Sequence, residues 1–457
     1  EVKYILEITL NTKNHENVYY YTTVVSGMSD GIQEKLDYVI EFNKNTYDAS
    51  NVNEISKYLE TTASADNSNY GKINIYNSLD QVRWGDLHPF IESNIIPSLY
   101  ESDGDTAVIA IDYTVGAGND NDSYDTYTVH EYYRIRKTTR AMYLLNFERE
   151  SNQVFDGRND LLSSGKINLG IQPDSDIELM DDDKNNYTYF ENEGSLWCYD
   201  KSSNTFTKVF AFASDDTDNI RERYERHKIK ILDVTEDGNA QFIVYGYMNR
   251  GRYEGMSGVL MCHYDALMNT VEEQFFLPSD RPYAAVKEEL GKLAVENSNG
   301  QAWIYSRGMI LQIDLETSQV TVLANDIPEE LVQISDSGQT AAWTDGSNGV
   351  ISLLHTETGI VQRIEASAGE AVRALGFMEE DFIYGTARVD DIRMLEDGSE
   401  IFPMYRIIIR AADGQAVREF DYSSKGKYVT ALSIVQNRID LSCIQASGDG
   451  GYVETLP

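Results

Sequence analysis

The segment Met309–Leu323 constrains the fold of this chain more strongly than any other. Its apolar and polar residues alternate, a polar run at 316–319 interrupts the pattern, and the alternation then resumes. Alternation with a period of two on both sides of a short polar break is typical of a β-hairpin with one buried face. The segment therefore predicts a hairpin, and similar segments recur along the chain.

The recurrence predicts the architecture. Six hairpins of this type can be aligned, at 141–156, 195–212, 259–277, 309–323, 350–364 and 406–420. Strand pairs with Asp-, Asn- and Gly-rich turns precede three of them, at 232–246, 295–306 and 332–344. Four strands repeated roughly every 40–65 residues are the pattern of propeller blades.

Two of these segments carry a resemblance to known proteins. Ile334–Gly338 with Ala341–Trp343, and also Val234–Val244, resemble the strand, S-x-D-G turn and strand that begin blades in TolB-like and WD40-like propellers. No Trp-Asp dipeptide occurs, so a true WD40 array is not expected. The chain also resembles uncharacterised surface propeller proteins of Gram-positive anaerobic bacteria. These resemblances imply a fold and no activity.

The predicted fold is all-β: a β-propeller over residues 105–457, with seven blades and with six or eight as alternatives. Residues 28–104 are predicted to form a small mixed α/β appendage, because 31–43 and 52–61 have helical periodicity. The C-terminal segment 428–457 stops before a closing hairpin. We therefore expect the N-terminal strands, within residues 1–27, to close the last blade.

Composition restricts the partners. The chain has 38 basic and 75 acidic residues, for a net charge of −37, which argues against nucleic acid or an anionic membrane surface. No apolar run is long enough for direct membrane insertion in this segment. The chain enters directly on a strand without a leader-like segment. We expect an extracellular protein, secreted or anchored outside this segment.

Candidate sites for catalysis and cofactors are weak. Gly27–Gly31 matches G-x-S-x-G, but the all-β sequence that follows lacks the α/β context of a nucleophile elbow. Asp-rich loops at 119–125, 181–183 and 215–219 offer oxygen ligands for Ca²⁺ without the spacing of a known calcium loop. No catalytic residue and no cofactor are predicted, with Ca²⁺ at an Asp-rich loop as the alternative.

Two further groups of residues have structural interpretations. Cys198 and Cys262 fall on corresponding strands of adjacent blades, where packing in the core is the simplest role. Basic residues cluster between 221 and 230 and at 250 and 252. They either form an anion or acidic-glycan site or neutralise the interleaved Glu222, Glu225 and Glu254; we favour neutralisation.

A binding face is predicted from loop length. Long connections at 116–131, 247–258 and 386–403 take the place of short turns, and equivalent connections in a propeller emerge on one face. Tyr and Arg are typical of binding hot spots. The predicted binding residues are Tyr124, Tyr127, Tyr247, Arg250, Arg252, Tyr253, Arg388 and Arg393.

These observations favour a non-enzymatic binding or scaffold propeller at the bacterial cell surface, with a protein or cell-wall glycan partner. The alternative is a carbohydrate-active propeller, either a glycoside hydrolase or a lyase. Such an enzyme needs two carboxylates that converge across the central channel, and the sequence contains too many acidic residues to select a pair.

Overall fold

The computed structural model describes residues 2–11, 18–26, 31–48, 50–120, 123–158, 162–163, 166–172, 177–214, 222, 224, 226–290, 292–395, 399–411, 414–435, 438–447 and 451–456. The chain divides into an N-terminal hairpin, a domain of helices and one sheet, and a series of small antiparallel sheets. No helix in these ranges is long and apolar enough to cross a membrane.

The N-terminal hairpin consists of β1 (Val2–Leu10) and β2 (Val18–Ser26). The strands pair antiparallel along their whole length, with Val2 opposite Ser26 and Leu10 opposite Val18. Among the described residues, neither strand pairs with any other. The two strands are therefore present as predicted, but they do not complete the last blade within this single chain.

The second part combines helices with a six-stranded sheet of order β3-β8-β7-β6-β4, in which β5 also pairs with β6. Its helices are α1 (Ile32–Tyr47), α2 (Val52–Ser56) and α3 (Leu79–Val82). Its strands are β3 (Lys72–Asn74), β4 (Phe90–Ile91), β5 (Ile96–Asp103), β6 (Thr106–Asp120), β7 (Ser123–Lys137) and β8 (Met142–Gln153). The two predicted helices are confirmed, and Val39 and Phe42 of α1 are buried in a common cluster with residues of the sheet.

The domain boundary predicted at residue 105 is wrong, because β6, β7 and β8 belong to this sheet. The hairpin predicted at 141–156 is instead the single strand β8. Its polar run suggested a turn, yet Arg149 and Ser151 are buried. A strand that buries polar side chains has the same local sequence pattern as a solvated turn, and only the partners of those side chains distinguish the two.

A connecting segment contains β9 (Leu162–Ser163) and β10 (Lys166–Ile167). Four antiparallel sheets follow, each with its strands in chain order. They contain β11 (Leu179–Asp181), β12 (Tyr187–Asn192), β13 (Ser195–Asp200), β14 (Thr205–Phe210), β15 (His227–Val234), β16 (Ala240–Tyr247), β17 (Ser257–Asp265), β18 (Thr270–Ser279), β19 (Ala294–Glu296), β20 (Gln301–Ser306), β21 (Met309–Asp314), β22 (Gln319–Ala324), β23 (Val332–Ile334), β24 (Thr340–Thr344), β25 (Val350–His355) and β26 (Ile360–Glu365). Helix α4 (Tyr283–Leu290) joins the second sheet to the third.

The C-terminal strands form one seven-stranded sheet, whose two parts we call the fifth and the sixth sheet. They are β27 (Glu370–Met378), β28 (Asp381–Arg388), β29 (Arg393–Met394), β30 (Glu400–Ile401), β31 (Met404–Arg410), β32 (Ala416–Asp421), β33 (Lys427–Val435), β34 (Arg438–Ala446) and β35 (Tyr452–Thr455). The fifth sheet has the order β27-β28-β31-β32, with β29 and β30 as a small side hairpin. The sixth contains only β33, β34 and β35, and a single residue pair, Met404 with Val429, joins it to β31.

Consecutive sheets pack face to face, as blades do. Phe242 and Val244 of β16 are buried together with residues of the first sheet. Ile243, between them in the chain, is buried together with residues of the third sheet. Because alternate residues of a strand point to opposite faces, each sheet contributes to two clusters, one with each neighbour. This arrangement confirms the predicted β-propeller fold. Its described residues form four four-stranded sheets and one seven-stranded sheet within β27–β35, which the single pair of Met404 and Val429 divides into four and three strands. The number of blades, seven with six or eight as alternatives, stays a prediction.

Candidate binding face

The connection from β16 to β17 carries three of the predicted binding residues, and a fourth, Tyr247, is the last residue of β16. Tyr253 stacks on Phe276 of β18, with ring centroids 4.1 Å apart and ring planes 15° from parallel. The Arg252 guanidinium lies 5.3 Å from the centre of the Tyr253 ring. Phe276 therefore holds the Tyr253 ring in place, and the exposed Arg252 lies next to the same ring.

Burial and hydrogen bonds hold the first residues of the same connection in place. Met248 and Asn249 are buried, and the Asn249 side chain donates to the carbonyl oxygens of Glu222 (2.9 Å) and Tyr224 (2.8 Å). Arg250 forms an ion pair with the buried Glu222 carboxylate, although 44% of the Arg250 side chain stays exposed. Arg250 therefore anchors the loop, and Arg252 extends beyond it without an ion pair to any described residue.

Two predicted residues lie near the connection between β28 and β31: Arg388 is the last residue of β28, and Arg393 is the first residue of β29. The Arg388 guanidinium lies 5.0 Å from the centre of the Tyr405 ring. Arg393 is exposed and donates to the carbonyl oxygens of Asp390 (2.5 Å) and Ile392 (3.0 Å). Arg388 thus repeats the arginine-on-tyrosine arrangement of Arg252.

The remaining two predicted residues lie outside the propeller, in β7 of the N-terminal domain. Tyr127 is only 4% exposed and belongs to the core of that domain, so its prediction as a surface binding residue is wrong. Tyr124 is exposed and packs edge-on against Phe90, with ring centroids 5.1 Å apart. The segment 116–131 is the β6–β7 hairpin and not a connection within a blade.

The connections at 248–256 and 389–403 both join the second strand of a sheet to its third paired strand. Strands alternate in direction and the sheets share one order, so equivalent connections emerge on the same face of a propeller. The equivalent turn of the first sheet contains Glu193, whose carboxylate accepts a 2.6 Å hydrogen bond from Thr128 of β7. The N-terminal domain therefore touches the same face, which we call the loop face.

In the described part of the basic cluster before the second sheet, Lys228 and Lys230 lie near carboxylates. The Lys228 ammonium lies 3.3 Å from the Glu191 carboxylate. Burial lowers the pKa of Lys230, and Glu178 opposes that shift. Burial also lowers the pKa of His227, whose ring nitrogen lies 3.2 Å from the Gly194 carbonyl oxygen. Arg221, Arg223 and Glu225 lie outside the described residues.

Carboxylates on the first strands of the sheets form a second candidate site, which the sequence analysis did not single out. Burial and the nearby Asp233 raise the pKa of Glu296, at the end of β19, to about 7. Burial likewise raises the pKa of Asp233, near the end of β15. The first strand of each blade lines the axis of a propeller. Asp233 and Glu296 both lie on first strands, so their position in the repeat could have identified them as candidates from the sequence.

The N-terminal domain contains a buried polar network around Glu131 and Arg149, which are both fully buried and 3.8 Å apart. Glu131 accepts hydrogen bonds from Asn43 (2.9 Å), Tyr113 (3.0 Å) and Tyr133 (2.5 Å). Arg149 donates to the carbonyl oxygens of residues 81 and 82 in α3 and stacks on a tryptophan ring. The network links α1 and α3 to the sheet, which is a structural role.

The other candidates from the sequence have local explanations where the structure describes them. Cys198 and Cys262 are buried free thiols, as the packing interpretation predicts, and burial raises the pKa of Cys198 to about 11. Asp182 accepts backbone hydrogen bonds from residues 186 and 187 at 2.6 Å, so it stabilises its own turn. In the described ranges no three metal-ligating side chains come together. Residues 27–30 of the G-x-S-x-G motif, 121–122 and 215–219 lie outside those ranges.

The order and packing of its sheets make the protein a β-propeller, preceded by an α/β domain. Neither a protein-family model nor a curated protein matches the sequence. Solved propeller structures are similar to it at low sequence identity.

TolB from Acinetobacter baumannii is 13% identical over 56% of this chain and 60% of TolB, with a TM-score of 0.25. The β-propeller domain of Cps50 (Swd1) from Myceliophteria thermophila is 11% identical over 75% of this chain and 91% of that domain, with a TM-score of 0.26. Dipeptidyl peptidase 4 from Porphyromonas gingivalis is 9% identical over 77% of this chain and 51% of the peptidase, with a TM-score of 0.33. These scores are below 0.5, so the fold assignment rests on the strand pairing above.

Proposed function

We propose that the protein is a non-enzymatic binding module and that its loop face holds a protein partner. The observation that carries this proposal is the surface stack of Arg252, Tyr253 and Phe276. Tyr and Arg are the side chains that most often dominate the energy of a protein interface. Here they lie on a connection whose base is buried and hydrogen-bonded.

The stack is arranged before any partner binds. A flexible side chain loses about 0.5–1.5 kcal/mol of conformational freedom when an interface immobilises it. Contact with Phe276 already restricts the Tyr253 ring in the free protein. Binding to this surface therefore costs less ordering free energy than binding to a mobile loop.

The charge of the loop face indicates what it recognises. The whole chain has a net charge of −37, yet Arg252 and Arg388 form no ion pair with a described residue. An acidic group on a partner would pair with either guanidinium, and its apolar surface would cover Tyr253 or Tyr405. We therefore propose a partner that presents isolated acidic groups next to apolar side chains.

We further propose that binding takes place outside the cell, at the surface of a bacterium. The resemblance to surface propeller proteins of Gram-positive anaerobes supports this location. The net charge of −37 is consistent with it, because such a charge disfavours nucleic acid as a partner. A protein is the favoured partner because the stack combines aromatic and arginine side chains, and a cell-wall glycan is the alternative outcome of the test below.

The test measures binding of the fluorescently labelled full chain to intact Gram-positive anaerobe cells. We expect saturable binding that protease treatment of the cells abolishes and that the double variant Arg252→Ala/Tyr253→Ala weakens about tenfold or more. The matched control is Lys201→Ala, an exposed residue in a turn that joins the third and fourth strands of the first sheet. Binding that survives protease and that soluble cell-wall glycan inhibits identifies the glycan. Equal binding by the double variant and the wild type would refute the proposed face.

A carbohydrate-active enzyme is the second candidate, favoured by the two carboxylates with raised pKa, Asp233 and Glu296. Glycoside hydrolysis uses one protonated and one ionised carboxyl group. A carboxyl with a pKa of about 7 is available as an acid near neutral pH. This candidate requires turnover of an oligosaccharide that Glu296→Gln abolishes. Absence of product across an oligosaccharide panel at pH 5–8 would reject it.

A further inference from the structure

The N-terminal hairpin exposes an apolar face that nothing in the described chain covers. The register of the pair places Tyr4, Leu6, Ile8 and Leu10 on one face of β1, opposite residues of β2 that include Val24. Each of these five side chains is 44–56% exposed. None of the hydrophobic clusters of the described residues includes a residue of this hairpin.

An isolated two-stranded sheet is at best marginally stable in water, because it buries too little apolar surface to offset the ordering of its backbone. The other face of the hairpin includes Glu7 and Thr9, but also Ile5, which is 79% exposed, and the exposed Tyr19 and Tyr21. The face with Tyr4, Leu6, Ile8 and Leu10 is therefore the more uniformly apolar of the two, as in strands that pack one face on a core.

The last sheet lacks a strand at the complementary position. In the described residues, seven of the strands from β27 to β35 form one sheet. Because only Met404 and Val429 join β31 to β33, its last three strands, β33–β35, are one strand short of the four-stranded sheets before them. Its strand β35 pairs only with Cys443–Ala446 of β34. In the described part of the chain, the outer edge of β34 from Arg438 to Ser442 therefore has no neighbouring strand, and an unpaired edge is a template for strand addition.

An apolar groove borders this free edge. Its volume is about 490 Å³, and it lies between the outer strands of the fifth sheet and β34. Apolar side chains from both sheets line it, namely Ile407, Ile409, Val417, Phe420, Ile439 and Leu441. Of these, Val417 and Phe420 are 53% and 40% exposed. Apolar residues of the outer strands β22 and β26 are similarly exposed, for example Val322 (54%) and Ile360 (57%). The groove is therefore distinguished by its position beside the free edge and not by exposure alone.

We infer that the N-terminal hairpin of a second copy of this chain adds to the free edge of β34 and lays its apolar face into this groove. In the described residues, each chain has one unpaired hairpin and one incomplete sheet. If two chains exchange their hairpins, each hairpin pairs with the incomplete sheet of the other chain, and the result is a closed two-fold dimer. The charges permit the contact within a strongly acidic protein. The groove is lined by one acidic and one basic residue, Asp381 and Arg418, and β1 contains Lys3 and Glu7.

The first experiment determines the mass of the full chain by sedimentation between 1 and 100 µM. We expect a dimer for the wild type. Ile8→Lys places a charge on the apolar face and should weaken dimerisation about tenfold or more. Thr9→Lys changes the next residue, on the opposite face of the same strand, and should leave the dimer intact.

The second experiment alters the groove. Phe420→Lys should also weaken the dimer, whereas Val361→Lys should not, because Val361 occupies the outer strand β26 of the preceding sheet, away from the groove. A mixture of Ile8→Lys and Phe420→Lys should form a heterodimer, since an intact hairpin from one chain can enter an intact groove of the other. Thermal melting of each variant checks that the fold is retained.

Three results would overturn the inference. One is a wild-type chain that is monomeric at 100 µM, and another is a dimer that Ile8→Lys and Phe420→Lys leave unchanged. The third is hydrogen exchange showing β1 amides protected in a monomer, which would mean that the hairpin closes the sheet of its own chain.

Discussion

Replacing Glu296 with Gln should stabilise the protein at alkaline pH. Glu296 lies at the end of β19, where burial and the charge of Asp233 raise its pKa from 4.5 to about 7. A raised carboxyl pKa means that the folded state disfavours the ionised form. Glutamine has the same shape and no charge, so Glu296→Gln removes this cost.

The magnitude follows from proton linkage. Each pKa unit corresponds to about 1.36 kcal/mol, so a shift from 4.5 to about 7 costs the folded state about 3 kcal/mol when both states are ionised. Below pH 4.5 both states are protonated and the cost is absent. It grows as the pH rises from about 4.5 and is complete above about pH 7. The variant should therefore gain up to about 3 kcal/mol at pH 8 and almost nothing at pH 4.

The assay is urea unfolding at pH 4, 6 and 8, followed by tryptophan fluorescence. Trp303 is a suitable reporter because it is fully buried in β20, opposite Val295 of β19. The control is Glu316→Gln in an exposed turn of the same sheet, which should change the free energy of unfolding by less than about 0.5 kcal/mol at every pH.

The difference between the variant and the wild type must itself depend on pH. A gain at pH 8 that is equally present at pH 4 would point to altered packing and not to the charge. No gain at pH 8 would show that Glu296 ionises without cost, and the argument from burial beside Asp233 would be wrong.

Three further predictions concern stability and reactivity. Arg149→Met should destabilise the N-terminal domain by about 3–5 kcal/mol, because it leaves the buried Glu131 charge without its ion pair. Chemical denaturation measures this change in the free energy of unfolding, and a loss below about 1 kcal/mol would contradict the prediction. Gly246→Ala should destabilise the second sheet, because Gly246 has a φ of 114° and a Cβ would collide with the Arg226 carbonyl oxygen; a melting temperature equal to that of the wild type would disprove the clash. Cys198 and Cys262 should react with a thiol reagent at pH 8 only after denaturant is added, because both are buried and burial raises the pKa of each. Rapid labelling of the native protein would contradict this prediction.

Local patterns in the sequence were sufficient for most of the propeller. Alternation around short polar breaks depends only on neighbouring residues, and the hairpins predicted from 195 to 420 are present, including β21–β22 at 309–323. The two helices at 32–47 and 52–56 were predictable for the same reason, since their periodicity is local.

The failures concern residues whose environment is set by distant partners. In β8, Arg149 and Ser151 are polar but buried, and it is α3 and Glu131 that make the burial of Arg149 favourable. Tyr127 has the composition of a binding residue, but the core formed around α1 encloses it. No feature of the adjacent sequence distinguishes these residues from exposed ones.

The sequence by itself therefore determined where most propeller strands and the helices α1 and α2 lie, because backbone preference and side-chain alternation act over a few residues. Tertiary structure alone decided which strands share a sheet, that β1 and β2 do not pair with β33–β35 among the described residues, and that Asp233 comes close enough to Glu296 to raise its pKa. These outcomes depend on contacts between residues far apart in the chain. Their free energies arise from burial and charge that exist only after the sheets have packed.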